Sequence, residues 1–258
     1  MSKLLTTIRD LQRRKAREKR GLALAEGVRL VEEALAAGVR IDGAAVAPTL
    51  EATDRGRALK AALAGKGIPL EPLSDLELEK LADTDHPQGI IAVIAPRSWT
   101  LTDLPTNHAP RTTYLVLDGV QDPGNVGAIL RSALALGAAG VIALPGTADL
   151  QNSKVLRASM GAAFKLPNLH ATDAEFAEWC GSAKVTLWST AMDGTDIRSA
   201  HRPTGPLALI LGNEGAGVRA DLAATTATRV AIPIVPGAES LNVAAAAAIL
   251  LWECSRAG

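Results

Sequence analysis

Three short polar clusters in this 258-residue chain hold the side chains that could do chemistry. The first is Leu117-Asp-Gly-Val-Gln-Asp-Pro-Gly-Asn-Val-Gly-Ala-Ile-Leu-Arg131, which sets an amide, Asn125, and a guanidinium, Arg131, between an apolar strand and an apolar helix. The second is Gly212-Asn-Glu-Gly215, and the third is Glu239-Ser-Leu-Asn242. Polar groups gathered at strand ends are where α/β sheets bind ligands, so the three segments together predict one site. Arg131 lies off the apolar stripe of Val126, Ile129, Leu130, Ala133 and Leu134, and its head can reach solvent or a ligand. Asn125 can point into the same site only from the turn before the helix, a placement that Asp122-Pro123-Gly124 encourages; otherwise it is a helix cap.

Gly212, Gly215 and Gly217 let the backbone turn sharply or approach a ligand closely, and Glu214 among them can accept a hydrogen bond from a substrate or simply face water. Ser240 or Asn242 caps the Ala-rich helix that follows, but Glu239, Ser240 and Asn242 together exceed what one cap requires. No Gly-Lys-Ser/Thr follows any of these glycines, so none is a P-loop. No glycine triad of dinucleotide-binding spacing opens a helix after a strand, which disfavours an oxidoreductase. Cys180 and Cys254 stand at no motif spacing, so they read as reduced, buried thiols with neither a disulfide nor a metal.

The elements that must position these clusters alternate. Beyond Arg111, short apolar runs at 114–117, 141–144, 185–188, 207–211 and 230–234 predict strands covered on both faces, hence a parallel sheet. Helices are predicted at 126–136, 154–160, 173–180 and 242–253, with Ser153 and Thr172 as N-caps. The first 95 residues read as a small α/β domain. It has a basic helix over 4–19, a strand at 22–26, helices at 28–37 and 51–63, and a buried strand at 90–94. Prolines at 96, 105 and 110 mark a linker over 96–111, leaving a second domain of 112–258.

Hydrophobic residues make up 48% of the chain and charged ones 21%, as in soluble globular proteins, and no segment is long and apolar enough to span a membrane. With no signal-like start, a cytoplasmic location is expected. The zero net charge hides an asymmetry. From Lys3 to Arg40 there are ten Lys or Arg against five Asp or Glu, densest at Arg13, Arg14, Lys15 and Arg17. Such a run is usually a solvated helix face, but it is also how a protein reaches a phosphate backbone.

The three clusters resemble the signature motifs of the SpoU (TrmH) class of RNA 2′-O-ribose methyltransferases in the SPOUT superfamily. The resemblance rests on Asp118 to Arg131, Leu211-Gly-Asn-Glu-Gly-Ala-Gly217, and Ile232-Pro233 with Ser240-Leu-Asn242. It extends more loosely to Glu26-Gly-Val-Arg-Leu-Val-Glu-Glu-Ala-Leu and His86-Pro-Gln-Gly-Ile-Ile-Ala-Val, which resemble a ribosomal-protein-like RNA-binding domain. It implies a C-terminal domain tied in a deep trefoil knot, a homodimer, and S-adenosylmethionine as cofactor with no metal. By motif position, Gly212, Ile232 and Leu241 contact the cofactor, while Asn125, Arg131, Glu214, Ser240 and Asn242 act in catalysis or position the substrate.

The implied reaction is in-line attack of a ribose 2′-hydroxyl on a methyl group, a step in which positioning contributes most. A guanidinium deprotonates reluctantly, so Arg131 is expected to clamp a phosphate and stabilise the developing alkoxide rather than act as base. The N-terminal domain favours ribosomal RNA as substrate. The alternatives are a transfer-RNA 2′-O-methyltransferase and a non-catalytic RNA-binding or ribosome-assembly module of the same fold.

Overall fold

The computed structural model describes residues 2–105 and 112–256, with only the backbone of Arg256; residues 106–111 of the predicted linker lie outside the described residues. The basic stretch forms two helices, α1 (Lys3–Leu11) and α2 (Arg14–Arg20), where one was predicted. The break is held by Arg17, whose guanidinium donates to the carbonyls of Leu11 and Gln12 at 2.9 Å each. Next come β1 (Ala23–Glu26), α3 (Val28–Ala36) and β2 (Arg40–Val46). A 3-10 turn at Pro48–Ala52 precedes α4 (Asp54–Gly65), so the helix predicted from Glu51 starts three residues later, behind the Thr53 cap.

β3 (Leu70–Pro72), α5 (Asp75–Glu79) and β4 (Ile90–Ala95) follow. The sheet runs β1-β4-β2-β3, with β4 antiparallel to both neighbours and β2 parallel to β3. β2 was not predicted because Asp42-Gly43 reads as a turn. In the strand, Gly43 marks a register shift, and a Cβ there would press on the Leu4 side chain and the Pro69 carbonyl at 3.2 and 3.3 Å.

The later elements are β5 (Thr113–Asp118), α6 (Pro123–Ala135), β6 (Gly140–Ala143), α7 (Ser153–Ser159) and α8 (Ala162–Lys165). After them come β7 (Asn168–His170), α9 (Asp173–Ala183), β8 (Thr186–Asp196), β9 (Leu207–Gly212), α10 (Ala220–Ala223), β10 (Thr228–Ala231) and α11 (Val243–Arg256). The five predicted strands form a parallel sheet with β7, a strand that was not predicted, added at its edge, in the order β10-β8-β9-β5-β6-β7. β5 and β9 are buried along their whole length, which explains their apolar runs. Thr172 caps α9 as predicted, but Asn152 rather than Ser153 caps α7, its side chain accepting the Lys154 N–H at 2.8 Å. The few aromatics are concentrated beneath this sheet, where Tyr114 and Trp179 meet edge-on with ring centroids 5.0 Å apart.

The chain divides into two compact units, residues 1–98 with 151–165, and residues 99–150 with 166–258. In the first unit Glu26 is buried and fully engaged. It accepts from the Asp83 and Thr84 N–H groups and the Thr84 hydroxyl, and from Arg157 at 3.3 Å. A buried carboxylate needs such a complete set of partners. Arg157 also pairs with Asp83 at 2.8 Å, and Lys165 with Glu33 at 2.6 Å. Among the described residues no helix is long and apolar enough to cross a membrane, and no group of three or more His, Cys, Asp or Glu could hold a metal ion.

Candidate functional site

The register of two central strands builds the site. β5 and β9 are parallel neighbours with Asp118 opposite Gly212, so both chains leave the sheet at the same edge. After β5 the chain turns at Gly119 (φ +73°), and Asp122 starts α6 by accepting the Asn125 N–H at 2.8 Å. Pro123 takes the first helical position, where its fixed φ and missing N–H cost nothing. Asn125 therefore lies in the first turn of the helix, not in the turn before it. It still faces the site, because the start of α6 borders the loop after β9.

That loop is drawn in on itself. Asn213 and Gly217 exchange backbone hydrogen bonds of 3.0 and 2.9 Å, and a Cβ on Gly212 would lie 2.0 Å from the Gly217 carbonyl carbon. The Asn213 side chain accepts the Gly215 and Ala216 N–H groups at 2.9 and 3.0 Å and donates to the Gly119 carbonyl at 2.9 Å. Arg219 closes the loop: its backbone N–H and Nε donate to Asp118, 1% exposed, at 2.8 and 2.7 Å. Its other nitrogens fork onto Asp173 at 2.6 and 3.0 Å. Sequence reasoning passed over Asn213, Asp118 and Arg219. The available signal was Asp118, a carboxylate directly after the apolar run 114–117.

Within this frame three of the predicted residues form a relay. Glu214 accepts Asn125 Nδ2 at 3.0 Å and the N–H groups of Gln121 and Asp122 at 3.3 Å each. Asn125 Oδ1 accepts Asn242 Nδ2 at 2.9 Å, and Asn242 Oδ1 caps α11 by accepting the Ala244 and Ala245 N–H groups at 2.9 and 3.3 Å. A carboxylate only accepts and a helix N-terminus only donates, so the two ends of the relay fix which way both amides face. Partial burial pushes the Glu214 carboxyl up, but the bonds from Asn125 and from backbone N–H groups outweigh it and hold the group below the usual carboxylate range. It is an ionised acceptor at neutral pH.

Beside the relay is a cavity of about 370 Å³ with walls from Leu211, Ile232, Ile234, Leu241, Val243 and Leu250. Gly212, Glu214, Ser240 and Asn242 also border it. The predicted cofactor residues Gly212, Ile232 and Leu241 thus share one cavity with three of the five predicted catalytic residues, and Asn125 joins them through the relay. Arg131 does not join them. It is exposed on α6, roughly 9 Å along the axis from Asn125 at 1.5 Å per residue. It makes no hydrogen bond or ion pair among the described residues.

The predicted RNA-facing cations divide. Arg13 pairs with Asp10 at 2.9 Å, Arg14 pairs with Glu18 at 2.7 Å, and Lys15 is exposed. Arg17, 6% exposed and spent on the Leu11 and Gln12 carbonyls, serves the fold and cannot face a ligand.

Residues 112–252 match the SpoU rRNA Methylase family, and residues 4–92 match the MRM3-like substrate binding domain. The chain is 34% identical to the 23S rRNA (guanosine(2553)-2′-O)-methyltransferase RlmP of Bacillus subtilis, over 95% of this chain and 93% of that protein. The AdoMet-bound rRNA methyltransferase of Sinorhizobium meliloti is 32% identical with a TM-score of 0.84, covering 98% of this chain and 94% of that one. The SpoU methyltransferase AviRb of Streptomyces viridochromogenes, solved with AdoMet, superimposes with a TM-score of 0.86 at 26% identity, over 99% and 97% of the two chains. The motif segments around the cavity lie inside the first family match, which spans more than half of the sequence; this chain belongs to the SpoU rRNA methylase family.

Proposed function

We propose that the chain transfers a methyl group from S-adenosylmethionine to a ribose 2′-hydroxyl of ribosomal RNA. The observation that carries this reading is the convergence of Asn125, Glu214 and Asn242 into one oriented relay at a cavity of ligand size. The cavity fits the cofactor in chemistry. It is mainly apolar, Gly212 and Gly217 border it without side chains, and Glu214, Ser240 and Asn242 supply polar groups in its wall. Gly212, Ile232 and Leu241 would hold the cofactor, which supplies an electrophilic methyl group and leaves as the thioether once the methyl carbon bonds to the ribose oxygen.

The rest is the work of this chain's residues. Asn242 and Asn125 present fixed amide faces, and the ionised Glu214 holds them there. Ser240 stands at the same cavity to orient the ribose. Arg131 binds the flanking phosphate and stabilises the oxyanion that forms as the hydroxyl proton passes to solvent water, because a guanidinium suits both as a charged planar donor. A carboxylate held below its ordinary range is a weak base, which also argues for orientation as the task of Glu214.

The finer parts of this reading have separate support. A homodimer is favoured by the outer face of α11 and α6, where Leu134, Ile249 and Trp252 remain exposed. The deep trefoil knot and the division into an RNA-binding domain of 1–95 and a catalytic domain of 112–258 are part of this reading from the motif resemblance, although 151–165 packs with the first unit. A cytoplasmic location is part of it from the similarity to bacterial rRNA methyltransferases. Ribosomal RNA is favoured over transfer RNA because relatives named for ribosomal RNA match both units of the chain. A purely RNA-binding module would have no use for the complete relay. The test is transfer of labelled methyl to unmodified ribosomal and transfer RNA, followed by a search for 2′-O-methylated nucleosides. Label in ribosomal RNA is expected; label in transfer RNA alone, or in neither, would sink the proposal.

A further inference from the structure

The first unit carries a second cleft, lined by none of the relay residues. It has a volume of about 280 Å³ and a mainly apolar lining that includes Leu30 and Met160, with Arg29, His86, Gln88 and the Glu26–Arg157 ion pair also in its wall. Arg29 and Gln88 also border an adjoining hollow of about 440 Å³. Gln88 Oε1 accepts the Val28 N–H at 2.9 Å, which turns its NH₂ away from the backbone. Neither that NH₂, the Arg29 guanidinium nor the exposed His86 ring has a partner among the described residues. The nearby cations differ: Arg55 is bound to Glu32 at 2.5 Å, Arg157 to Asp83 at 2.8 Å and Lys165 to Glu33 at 2.6 Å.

We propose that this cleft is the subsite that seats one unpaired nucleotide of the RNA substrate, and the proposal rests on RNA being that substrate. Arg29 takes the phosphate, the outward NH₂ of Gln88 donates to an acceptor on the base edge, and the His86 ring stacks on the base. Proteins read splayed RNA bases with this combination of cation, amide and flat ring on an apolar lining. Asp85, exposed next to His86, and the paired state of the surrounding cations work against a long phosphate track. The cleft therefore suits a single nucleotide, and recognition here depends on the base more than on summed charge.

The experiment uses the full chain and an unmodified 23S rRNA transcript containing 4-thiouridine. Photo-cross-linked peptides are identified by mass spectrometry. RNA affinity, KM for RNA, kcat and cofactor affinity are compared between the parent, the Arg29→Ala/His86→Ala double variant and Lys15→Ala. Both cleft side chains are exposed and unbonded, so the double variant should fold. Cross-links at residues 29 and 86–88 are expected, with at least a tenfold rise in Kd and KM for RNA and unchanged kcat and cofactor affinity. Lys15→Ala should change RNA affinity by less than threefold. Cross-links confined to other segments, a double variant within twofold of the parent, or a parent that does not bind the transcript would overturn the subsite. A parent that cross-links at the cleft but transfers no methyl would instead refute the methyltransferase reading and leave the subsite standing.

Discussion

Asn125 Nδ2 lies 3.0 Å from Glu214 Oε1 across 89 residues of chain, and this bond makes one site of two separate motifs. Each partner constrains the other, because the carboxylate can accept only and the amide must then offer its oxygen to Asn242. Replacing Asn125 by Asp keeps an oxygen for Asn242 but removes the donor to Glu214 and sets two carboxylate oxygens against each other. A hydrogen bond to a charged group is worth about 1.5–3 kcal/mol, so kcat should fall about 10- to 100-fold. Calorimetric cofactor affinity should stay within threefold. An equal loss in both would place the relay in the cofactor pocket instead of the ribose site.

Arg131→Lys separates a clamp from a base. Lysine is the better proton acceptor but cannot bind a phosphate bidentately. The expected outcome is a loss of at least tenfold in kcat/KM with unchanged cofactor affinity, measured at saturating cofactor. Turnover near that of the parent would count against the clamp.

The catalytic half was legible because its strands are buried on both faces and write themselves as apolar runs, as in 114–117 and 207–211. The polar clusters at their ends were visible for the same reason. What stayed hidden depended on distant partners. β2 disguises itself with Asp42-Gly43, whose fit is set by Leu4 and Pro69. Arg17 looked like one more surface cation until its carbonyl partners were known. Asn213 and Arg219 act through bonds to Gly119, Asp118 and Asp173, and no local pattern announces such pairings.

Gly212 is constrained by the loop it starts. A Cβ there would stand 2.0 Å from the Gly217 carbonyl carbon and 2.1 Å from the Val218 nitrogen, both backbone atoms that cannot rotate away. Gly212→Ala must displace the loop, so cofactor affinity should drop at least tenfold in a calorimetric titration. Gly215→Ala, whose Cβ would come no closer than 3.6 Å to the Asn213 side-chain oxygen, is the matched control and should bind nearly as well as the parent.

The Arg219 clasp predicts both a stability loss and its pH dependence. Asp118 is buried, so Asp118→Asn should cost about 1–3 kcal/mol in denaturant unfolding. Asp173 is exposed at the other end of the same guanidinium, where Arg219's hydrogen bond, opposed by slight burial, holds its carboxyl below the usual range. A lowered folded value gives stability that is present above the unfolded value of about 4 and is lost as pH falls through the folded one. Asp173→Asn should therefore change the melting temperature more at pH 6 than at pH 3. An equal effect at both would remove the ion pair as its cause.

α11 is apolar on more than one face. Ala247, Leu250, Leu251 and Cys254 form the buried stripe, yet Ala245, Ile249 and Trp252 line up at i, i+4 and i+7 on the exposed side. A helix that is hydrophobic all round is normally covered all round. Trp252 is 52% exposed and Ile249 37%, and Leu134 on the neighbouring α6 is 38% exposed, so the uncovered surface continues across two helices. A second copy of the chain is the occupant proposed for this surface. Light scattering should give twice the chain mass for the parent and a single chain mass for Trp252→Asp. That variant should keep its helical content by circular dichroism and lose most methyl transfer. A monomeric parent, or a monomeric variant with full activity, would show that each chain completes its own site.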